Sequence, residues 1–168
     1  MDIKAIVYTS NTGYTAEYAR ILSAKCSLPV YTLREAMQAL DEGDKIVYLG
    51  WLMAGFVKGY KKAAKRFAVT IVCAVGLGGN GTQREEVRQA NSIPEGTPLF
   101  TIQGGYDYKR LRGINKFLMR IVGAKLRRDL LSKPCRSESD EVVLDLLTNG
   151  GSAVDEKNLD LVIEAIEL

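Results

Sequence analysis

The sequence predicts an α/β protein: a three-layer, doubly wound parallel sheet of five strands with helices on both faces. Short apolar and β-branched runs, such as 3–8 (IKAIVY) and 68–75 (AVTIVCAV), alternate along the chain with longer stretches of helical character. Near-continuous apolar runs are typical of strands that are buried on both faces, as in parallel sheets. The chain has 168 residues, 46% hydrophobic and 26% charged, which is the size and composition of one globular domain.

The elements follow one another in a regular order until the fifth strand. The apolar runs predict strands at 3–8, 29–33, 45–50, 68–75 and 98–103. The segments between them predict helices at 13–25, 34–40, 56–67 and 82–91. The alternation then stops, and residues 106–140 form a long insertion before helices at 141–147 and 155–167. We therefore expect a single domain over 1–168 with one insertion after the fifth strand.

Two absences narrow the chemistry. The chain contains no histidine, which excludes histidine general bases, histidine triads and histidine metal sites. The three cysteines, Cys26, Cys73 and Cys135, lie far apart and form no Cys-x-x-Cys pair. We therefore predict no metal site and no catalytic side chain, and we expect a cofactor to carry any redox chemistry.

The first turn is dense in hydrogen-bond donors. The residues that join the first strand to the first helix are Ser10, Asn11, Thr12, Gly13, Tyr14 and Thr15. Their hydroxyls, with the backbone N–H groups and dipole of the helix N-terminus, predict a phosphate site held by neutral donors. The Gly-Lys-Ser/Thr element of a Walker loop is missing. An ordinary capped helix start is the alternative, but it needs fewer donors.

This turn resembles the (Ser/Thr)-x-Thr-Gly-x-Thr phosphate loop of flavodoxins, and it follows the first strand as the loop does in that family. The resemblance implies the flavodoxin strand order 2-1-3-4-5. It also implies flavin mononucleotide (FMN) as cofactor, bound beside strands one and three with its phosphate on the first loop.

Two more loops would have to flank the flavin ring. The first follows the third strand and consists of Trp51, Leu52, Met53, Ala54 and Gly55. The second follows the fifth strand and consists of Gln103, Gly104, Gly105, Tyr106 and Asp107. Aromatic rings and glycines suit stacking and close backbone approach. The first loop departs from the family's Thr-Trp-Gly, and Trp51 and Phe56 could instead pack a helix onto the sheet, so Tyr106 is the favoured stacking residue.

A glycine motif offers a competing interpretation. Residues 76–81 (GLGGNG) match the Gly-x-Gly-x-x-Gly dinucleotide fingerprint after a strong strand. The fingerprint also requires an acid about 20 residues later, near the end of the next strand, and Glu95 comes before that strand. We therefore expect a flexible glycine loop that borders a substrate entrance rather than an NAD(P) site.

The insertion concentrates positive charge. Between Lys109 and Lys133 the chain has nine Lys or Arg residues and one acid, Asp129. Three explanations compete for 109–131: a helix that packs on the domain, a helix that lies on an anionic membrane surface, or a cap that supplies cations to an acidic substrate. No recognised motif supports nucleic-acid binding. The apolar face of this helix would consist of Ile114, Phe117, Leu118, Ile121 and Val122, with glycines at 113 and 123 that could bend or break it.

The run 105–110 (GYDYKR), with Phe117-Leu118-Met119 after it, resembles the flavodoxin-like, quinone-dependent protoporphyrinogen oxidases, which have a long insertion at this point. The resemblance implies a porphyrinogen substrate and a quinone acceptor. A soluble electron-transfer flavodoxin between protein partners is the alternative, and a flavin-free binding module is a third. The N-terminus lacks a signal-peptide pattern and no apolar run reaches membrane-span length, so we expect a cytoplasmic protein; the membrane alternative for 109–131 would place it at the inner face of the membrane.

Overall fold

A computed structural model describes residues 2–111 and 113–168, with the backbone alone for Asn115. The strands are β1 (Ala5–Thr9), β2 (Val30–Thr32), β3 (Lys45–Met53), β4 (Phe56–Val57), β5 (Ala68–Gly76), β6 (Leu99–Gln103), β7 (Gly105–Tyr106) and β8 (Gly151–Ser152). The helices are α1 (Tyr14–Cys26), α2 (Leu33–Ala39), α3 (Tyr60–Arg66), α4 (Arg84–Asn91), α5 (Gly113–Leu131), α6 (Glu138–Asn149) and α7 (Asp160–Glu167). A short 3₁₀ helix, Glu156–Leu159, precedes α7.

The central sheet has the order β2-β1-β3-β5-β6, and these five strands are all parallel. Their register brings the carboxyl ends to one edge: Thr9 pairs with Gly50, Trp51 with Val75, and Gly76 with Gln103. Loops that leave these strand ends must therefore meet at that edge. The α/β class and the mostly parallel sheet flanked by helices are confirmed.

Both faces of the sheet are buried. On one face, Ile6, Val47 and Ile71 pack against Leu22 of α1 and Val162 of α7. On the other face, the strand residues between them pack against α2, α3 and α4: Ala5, Val7, Ile46, Tyr48, Val72 and Ala74. Because successive side chains point to opposite faces, a strand between two helical layers must be apolar at nearly every position. This requirement explains the continuous apolar runs.

The predicted helix at 56–67 is wrong in its first part. Phe56 and Val57 form β4, which pairs antiparallel with Leu52 and Met53 at the end of β3. Ala54 and Gly55 form the two-residue turn with φ of 49° and 80°. Two successive positive φ angles are what a tight hairpin turn of this kind requires, and glycine adopts them readily. The chain therefore turns back on β3 before α3 begins.

The insertion forms the long helix α5, which packs on α6. Helix α5 runs through Gly123, so the helix does not break at this glycine. The acidic helix begins at Glu138 rather than at 141, because Ser137 and Asp140 form a capping box. Strand β7 pairs antiparallel with β8, which joins the start of the insertion to the segment after α6. Arg112, within the basic segment, lies outside the described residues.

Of the three explanations for 109–131, packing of the predicted apolar face on the domain does not hold for most of the residues of that face. Ile114, Phe117, Leu118 and Ile121 are exposed, whereas Val122 is half-buried. The residues of α5 that are buried are others, chiefly Met119 and Leu130. Among the described residues, no helix combines the length and the apolar character that a membrane crossing requires.

Asn91, the last residue of α4, holds the turn between β3 and β4. Its side chain is buried, and its Oδ1 accepts a hydrogen bond from the backbone N–H of Val57 at 2.9 Å. Its Nδ2 donates to the carbonyl oxygens of Gly55 at 2.8 Å and of Val87 at 2.7 Å. The amide therefore connects the β3–β4 turn to the last turn of α4.

Replacing Asn91 with alanine should lower the free energy of unfolding by about 2–4 kcal/mol, because the backbone groups of Gly55 and Val57 lose their hydrogen bonds to this buried side chain. Denaturation in urea measures the difference. The matched control is Asn149→Ala, since Asn149 is exposed and its amide contacts Asp145 on the same helix. That variant should lose less than about 0.5 kcal/mol. Equal losses would show that the turn does not depend on Asn91.

Candidate functional site

A cavity of about 650 Å³ opens at the carboxyl edge of the sheet. It lies between the turn after β1, the β3–β4 hairpin, the glycine segment after β5, and the helices α5 and α6. The residues predicted for a site that line this cavity are Asn11, Thr12, Tyr14, Thr15, Trp51, Leu52, Met53, Ala54, Gly55, Gly105, Tyr106 and Asp107. Four predicted residues lie beside it without lining it: Ser10, Gly13, Gln103 and Gly104. All three predicted loops thus contribute to one cavity.

The turn after β1 presents polar groups that the protein itself does not use. Gly13 has a φ of 104°, a left-handed conformation that glycine adopts readily, and its backbone N–H donates to Ser10 Oγ at 3.2 Å. The Nδ2 group of Asn11 is buried and has no hydrogen-bond partner in the described part of the chain. Thr15 is only 2% exposed and lines the cavity. A buried amide without a partner costs free energy, so a ligand acceptor at Asn11 would recover it.

Arg110 brings a cation to this turn, which the sequence interpretation missed. Its Nη1 donates to the carbonyl oxygen of Thr12 at 3.4 Å, and it is the nearest heavy atom to the space above Gly13. Asp107 positions the side chain through an ion pair between its Oδ2 and Arg110 Nε at 3.0 Å. The i, i+3 spacing of Asp107 and Arg110 was visible in the sequence. Their position beside the first turn was not, because 98 residues separate Arg110 from Thr12.

Two buried tyrosine hydroxyls hold the loops from opposite faces of the sheet. The Tyr48 hydroxyl lies 2.7 Å from Thr9 Oγ1 and donates to the carbonyl oxygen of Lys58 at 2.7 Å. The Tyr18 hydroxyl donates to the carbonyl oxygen of Gln103 at 2.5 Å and accepts from Asn158 Nδ2 at 2.6 Å. Thr9, Lys58 and Gln103 adjoin the three loops of the cavity. Burial raises the pKa of both tyrosines, so both hydroxyls stay protonated at neutral pH.

Aromatic and thioether side chains form the apolar wall of the cavity. Met53, Leu111 and Met119 make a small buried cluster, and Trp51 and Tyr106 pack against it. The cluster joins the β3–β4 hairpin to α5, so the insertion covers the cavity from that side. Burial raises the pKa of Tyr106, whose hydroxyl is therefore a hydrogen-bond donor at neutral pH.

Three aromatic residues near the cavity differ in how far they pack against the protein. Tyr14 lies against Gly105, where its ring fills the space that a larger side chain would need. Phe56 was the other aromatic residue that could pack a helix onto the sheet. It is 47% exposed, with Lys61 Nζ at 5.9 Å from its ring centre. Phe56 therefore does not pack a helix onto the sheet. Trp51 is half-buried beside the cavity, with Lys58 Nζ at 5.8 Å from its ring centre.

The glycine segment 76–81 borders the cavity through Gly76, Leu77, Gly78 and Gly79. Hydrogen bonds hold the segment against β6. The side chain of Gln103 donates to the carbonyl oxygen of Leu77 at 2.9 Å, and the backbone N–H of Gln103 donates to Asn80 Oδ1 at 2.8 Å. The backbone N–H of Gly81 donates to the carbonyl oxygen of Thr101 at 2.8 Å. The glycine loop, which we expected to be flexible, is thus hydrogen-bonded to β6 at Leu77, Asn80 and Gly81.

The far end of the cavity is lined by charged side chains from α5 and α6 and from the turn between them. Lys133 Nζ lies 2.8 Å from Asp140 Oδ1, and this lysine together with the cap at Ser137 lowers the pKa of Asp140. Lys125 also lines the cavity, is exposed, and makes no ion pair within the described ranges 2–111 and 113–168. Three acids, Asp107, Asp129 and Asp140, line the same cavity, so its charged side chains are of both signs.

Within the described residues, no group of three or more Cys, Asp or Glu side chains could hold a metal ion. Comparisons of this chain with protein-family models, with curated protein sequences and with solved structures find no match. The functional argument therefore depends on the cavity and on the residues around it.

Replacing Tyr48 with phenylalanine should lower the free energy of unfolding at pH 7 by about 1–3 kcal/mol, because the carbonyl of Lys58 and the hydroxyl of Thr9 lose a partner. The pH dependence should change as well. The folded state raises the pKa of Tyr48, so the unfolded chain ionises first, and stability falls as the pH rises above about 10.

The variant should lose stability less steeply than the parent between about pH 10 and 11.5. Denaturant unfolding at a series of pH values measures both slopes. The variant should still lose some stability as the pH rises, because burial also raises the pKa of Tyr18 and Tyr60. Identical slopes for the two proteins would contradict the assignment of this titration to Tyr48.

Proposed function

We propose that this chain is a flavodoxin-like oxidoreductase that binds FMN at the carboxyl edge of its sheet. The observation that carries the proposal is the buried, unpartnered amide of Asn11 in a donor-rich turn that opens into the cavity. When the antiparallel β4 is left out of the count, the strand order corresponds to the 2-1-3-4-5 order of flavodoxins. In that order, ligands bind where the order reverses, which is at β1 and β3 here.

The residues around the cavity fit the parts of FMN. Ser10, Asn11, Thr12 and Thr15 would hold the phosphate with neutral donors, and Arg110 would add one positive charge. The N-terminal end of α1 would contribute unpaired backbone N–H groups and its dipole. Trp51 and Tyr106 would flank the isoalloxazine ring, with Tyr106 as the favoured stacking residue.

FMN, when bound, supplies one- and two-electron redox chemistry. The chain's own part is to bind, orient and exclude water. Met53, Leu111 and Met119 form a dry wall beside Trp51 and Tyr106, and such a wall strengthens polar interactions inside the cavity.

The cavity favours a small substrate over a protein partner. It extends beyond the three loops to Val122, Lys125 and Leu126 of α5. A largely apolar wall that includes a lysine suits a reduced, hydrophobic molecule that carries carboxylates. Residues 105–110 resemble the protoporphyrinogen oxidases, whose substrate is a molecule of this kind. We therefore propose a porphyrinogen-type substrate that loses electrons in pairs, with protons, and a quinone that takes up both.

The electron-carrier alternative receives less support from the same geometry. An electron-transfer flavodoxin must bring a protein partner close to its flavin, and here α5 and α6 line the far side of the cavity. In a flavin-free module, the buried amide of Asn11 would have no ligand as a hydrogen-bond partner. Turnover with a porphyrinogen and a quinone distinguishes the first proposal from the electron carrier.

Titration of the flavin-free protein with FMN and with riboflavin tests the cofactor. FMN should bind much more tightly than riboflavin, because only FMN carries the phosphate. Arg110→Gln should weaken FMN binding about tenfold and leave riboflavin binding unchanged, since a hydrogen bond to a charged group contributes about 1.5–3 kcal/mol and this side chain is largely exposed.

The matched control is Lys109→Gln, which removes the same charge one residue earlier in the chain. Its FMN affinity should stay within about twofold of the parent. An equal loss of FMN and riboflavin in the Arg110 variant would assign Arg110 to the structure of the insertion. Failure of the parent to bind FMN would overturn the proposed function.

Lys125→Gln should raise KM for a carboxylate-bearing porphyrinogen about threefold to tenfold with little change in kcat, because it removes an attraction present in both ground state and transition state. The control is Arg128→Gln, an exposed base on the same helix that does not line the cavity. Steady-state rates with a quinone acceptor measure both variants. Equal effects would indicate that the overall charge of α5, rather than Lys125, attracts the substrate.

A further inference from the structure

Helix α5 has apolar side chains on two sides. On the side toward the protein, Met119 and Leu130 are buried. On the outer side, four large apolar residues are exposed to solvent: Ile114 by 68%, Phe117 by 59%, Leu118 by 38% and Ile121 by 55%. Their spacing of three, four and seven residues places them on one face of the helix. We call these four residues the outer stripe.

An exposed stripe of this size needs an explanation. Single exposed apolar residues are ordinary on protein surfaces, whereas a contiguous group of large ones indicates a contact site. A helix that is apolar on two sides is normally buried on both. Within residues 2–111 and 113–168, no segment covers the outer stripe. Its partner is therefore outside this protein fold.

The charge around the outer stripe identifies the kind of partner. The sequence has no Asp or Glu between 108 and 128, while this stretch contains eight Lys or Arg residues. Lys116 and Arg120 lie among the stripe residues at a spacing of four, and Arg127 and Arg128 follow on exposed positions. Basic side chains beside exposed apolar ones match a surface that is anionic outside and apolar beneath.

We propose that the outer stripe inserts into the surface of an anionic lipid bilayer, with α5 lying in the plane of the membrane. The apolar side chains would enter the headgroup–acyl boundary, and the bases would contact lipid phosphates. A second copy of the chain fits less well, since two identical basic helices would repel each other. A nucleic acid would pair with the bases but would leave Ile114 and Ile121 without an apolar partner. This proposal does not depend on the bound flavin.

Co-sedimentation of the full chain with lipid vesicles tests the proposal. The protein should bind vesicles of phosphatidylcholine with about one third phosphatidylglycerol, and should bind pure phosphatidylcholine vesicles at least tenfold more weakly. High salt should reduce binding to the anionic vesicles. Equal binding to both kinds of vesicle would contradict the role of the bases, and no binding to either would overturn the proposal.

Variants separate the two contributions. Phe117→Ser with Ile121→Ser removes half of the outer stripe, and Lys116→Gln with Arg120→Gln removes two charges. Each pair should weaken binding to anionic vesicles at least tenfold. The matched control is Leu161→Ser, since Leu161 is 64% exposed on α7, away from the insertion. That variant should bind as the parent does, and circular dichroism should show that all variants keep their fold.

Two measurements test the other candidate partners of the outer stripe, a second copy of the chain and a nucleic acid. The oligomeric state in solution should be unchanged by Phe117→Ser with Ile121→Ser. A dimer that this pair dissociates would assign the outer stripe to a contact between copies and overturn the proposal. Binding of duplex DNA or RNA as tight as binding to anionic vesicles, with loss only in the charge variant, would also overturn it.

Discussion

The carboxyl edge of the sheet depends on two tyrosine hydroxyls, one on each face. Tyr48 joins the end of β1 to the segment after β4, and Tyr18 joins the end of β6 to the segment before α7. Parallel strands fix where their ends lie, but they do not fix the loops that follow, because a loop beyond the last ladder hydrogen bond has no partner of its own. The buried hydroxyls supply those partners. The cavity exists because the loops on either side of it are held at their first residues.

The insertion covers one side of the cavity at the carboxyl edge of the sheet. Without it, the edge would be a shallow cleft between three loops, open to water on the side of Trp51 and Tyr106. The cluster of Met53, Leu111 and Met119 brings α5 over that side, and the pairing of β7 with β8 anchors the start of the insertion. The same segment brings Arg110 to the first turn. One insertion thus contributes a wall, a cation and an outer surface.

The sequence predicted best those features that short-range patterns determine. The apolar runs gave all five parallel strands to within three residues at each end, since a strand between two helical layers must be apolar throughout. The donor-rich turn and its neighbouring loops were predicted for the same edge, because parallel strand ends must meet there. The hairpin at Phe56 was missed. Its evidence is the pair of positive φ angles at Ala54 and Gly55, and Ala54 gives no such signal in a sequence.

Long-range contacts account for the other differences. The apolar pattern of α5 predicted an amphipathic helix correctly, but it could not show which side the protein would cover. Met119 and Leu130 are buried because the cavity wall and α6 lie on their side, whereas Ile114 and Phe117 face solvent. The position of Arg110 beside Thr12 has the same origin. Periodicity specifies a face of a helix, and only the packing of distant segments decides whether that face is core or surface.

The bases of the insertion divide by direction, and this division separates the two proposals. Arg110 lies beside the first turn and Lys125 lines the cavity. Lys116 and Arg120 lie beside the outer stripe. Exposed charges interact weakly through water at physiological salt, so removing one group should leave the other's interactions nearly unchanged. A loss of vesicle binding with intact FMN affinity, or the reverse, is therefore interpretable. The proposed ligand site and the proposed membrane contact thus depend on different bases of one segment.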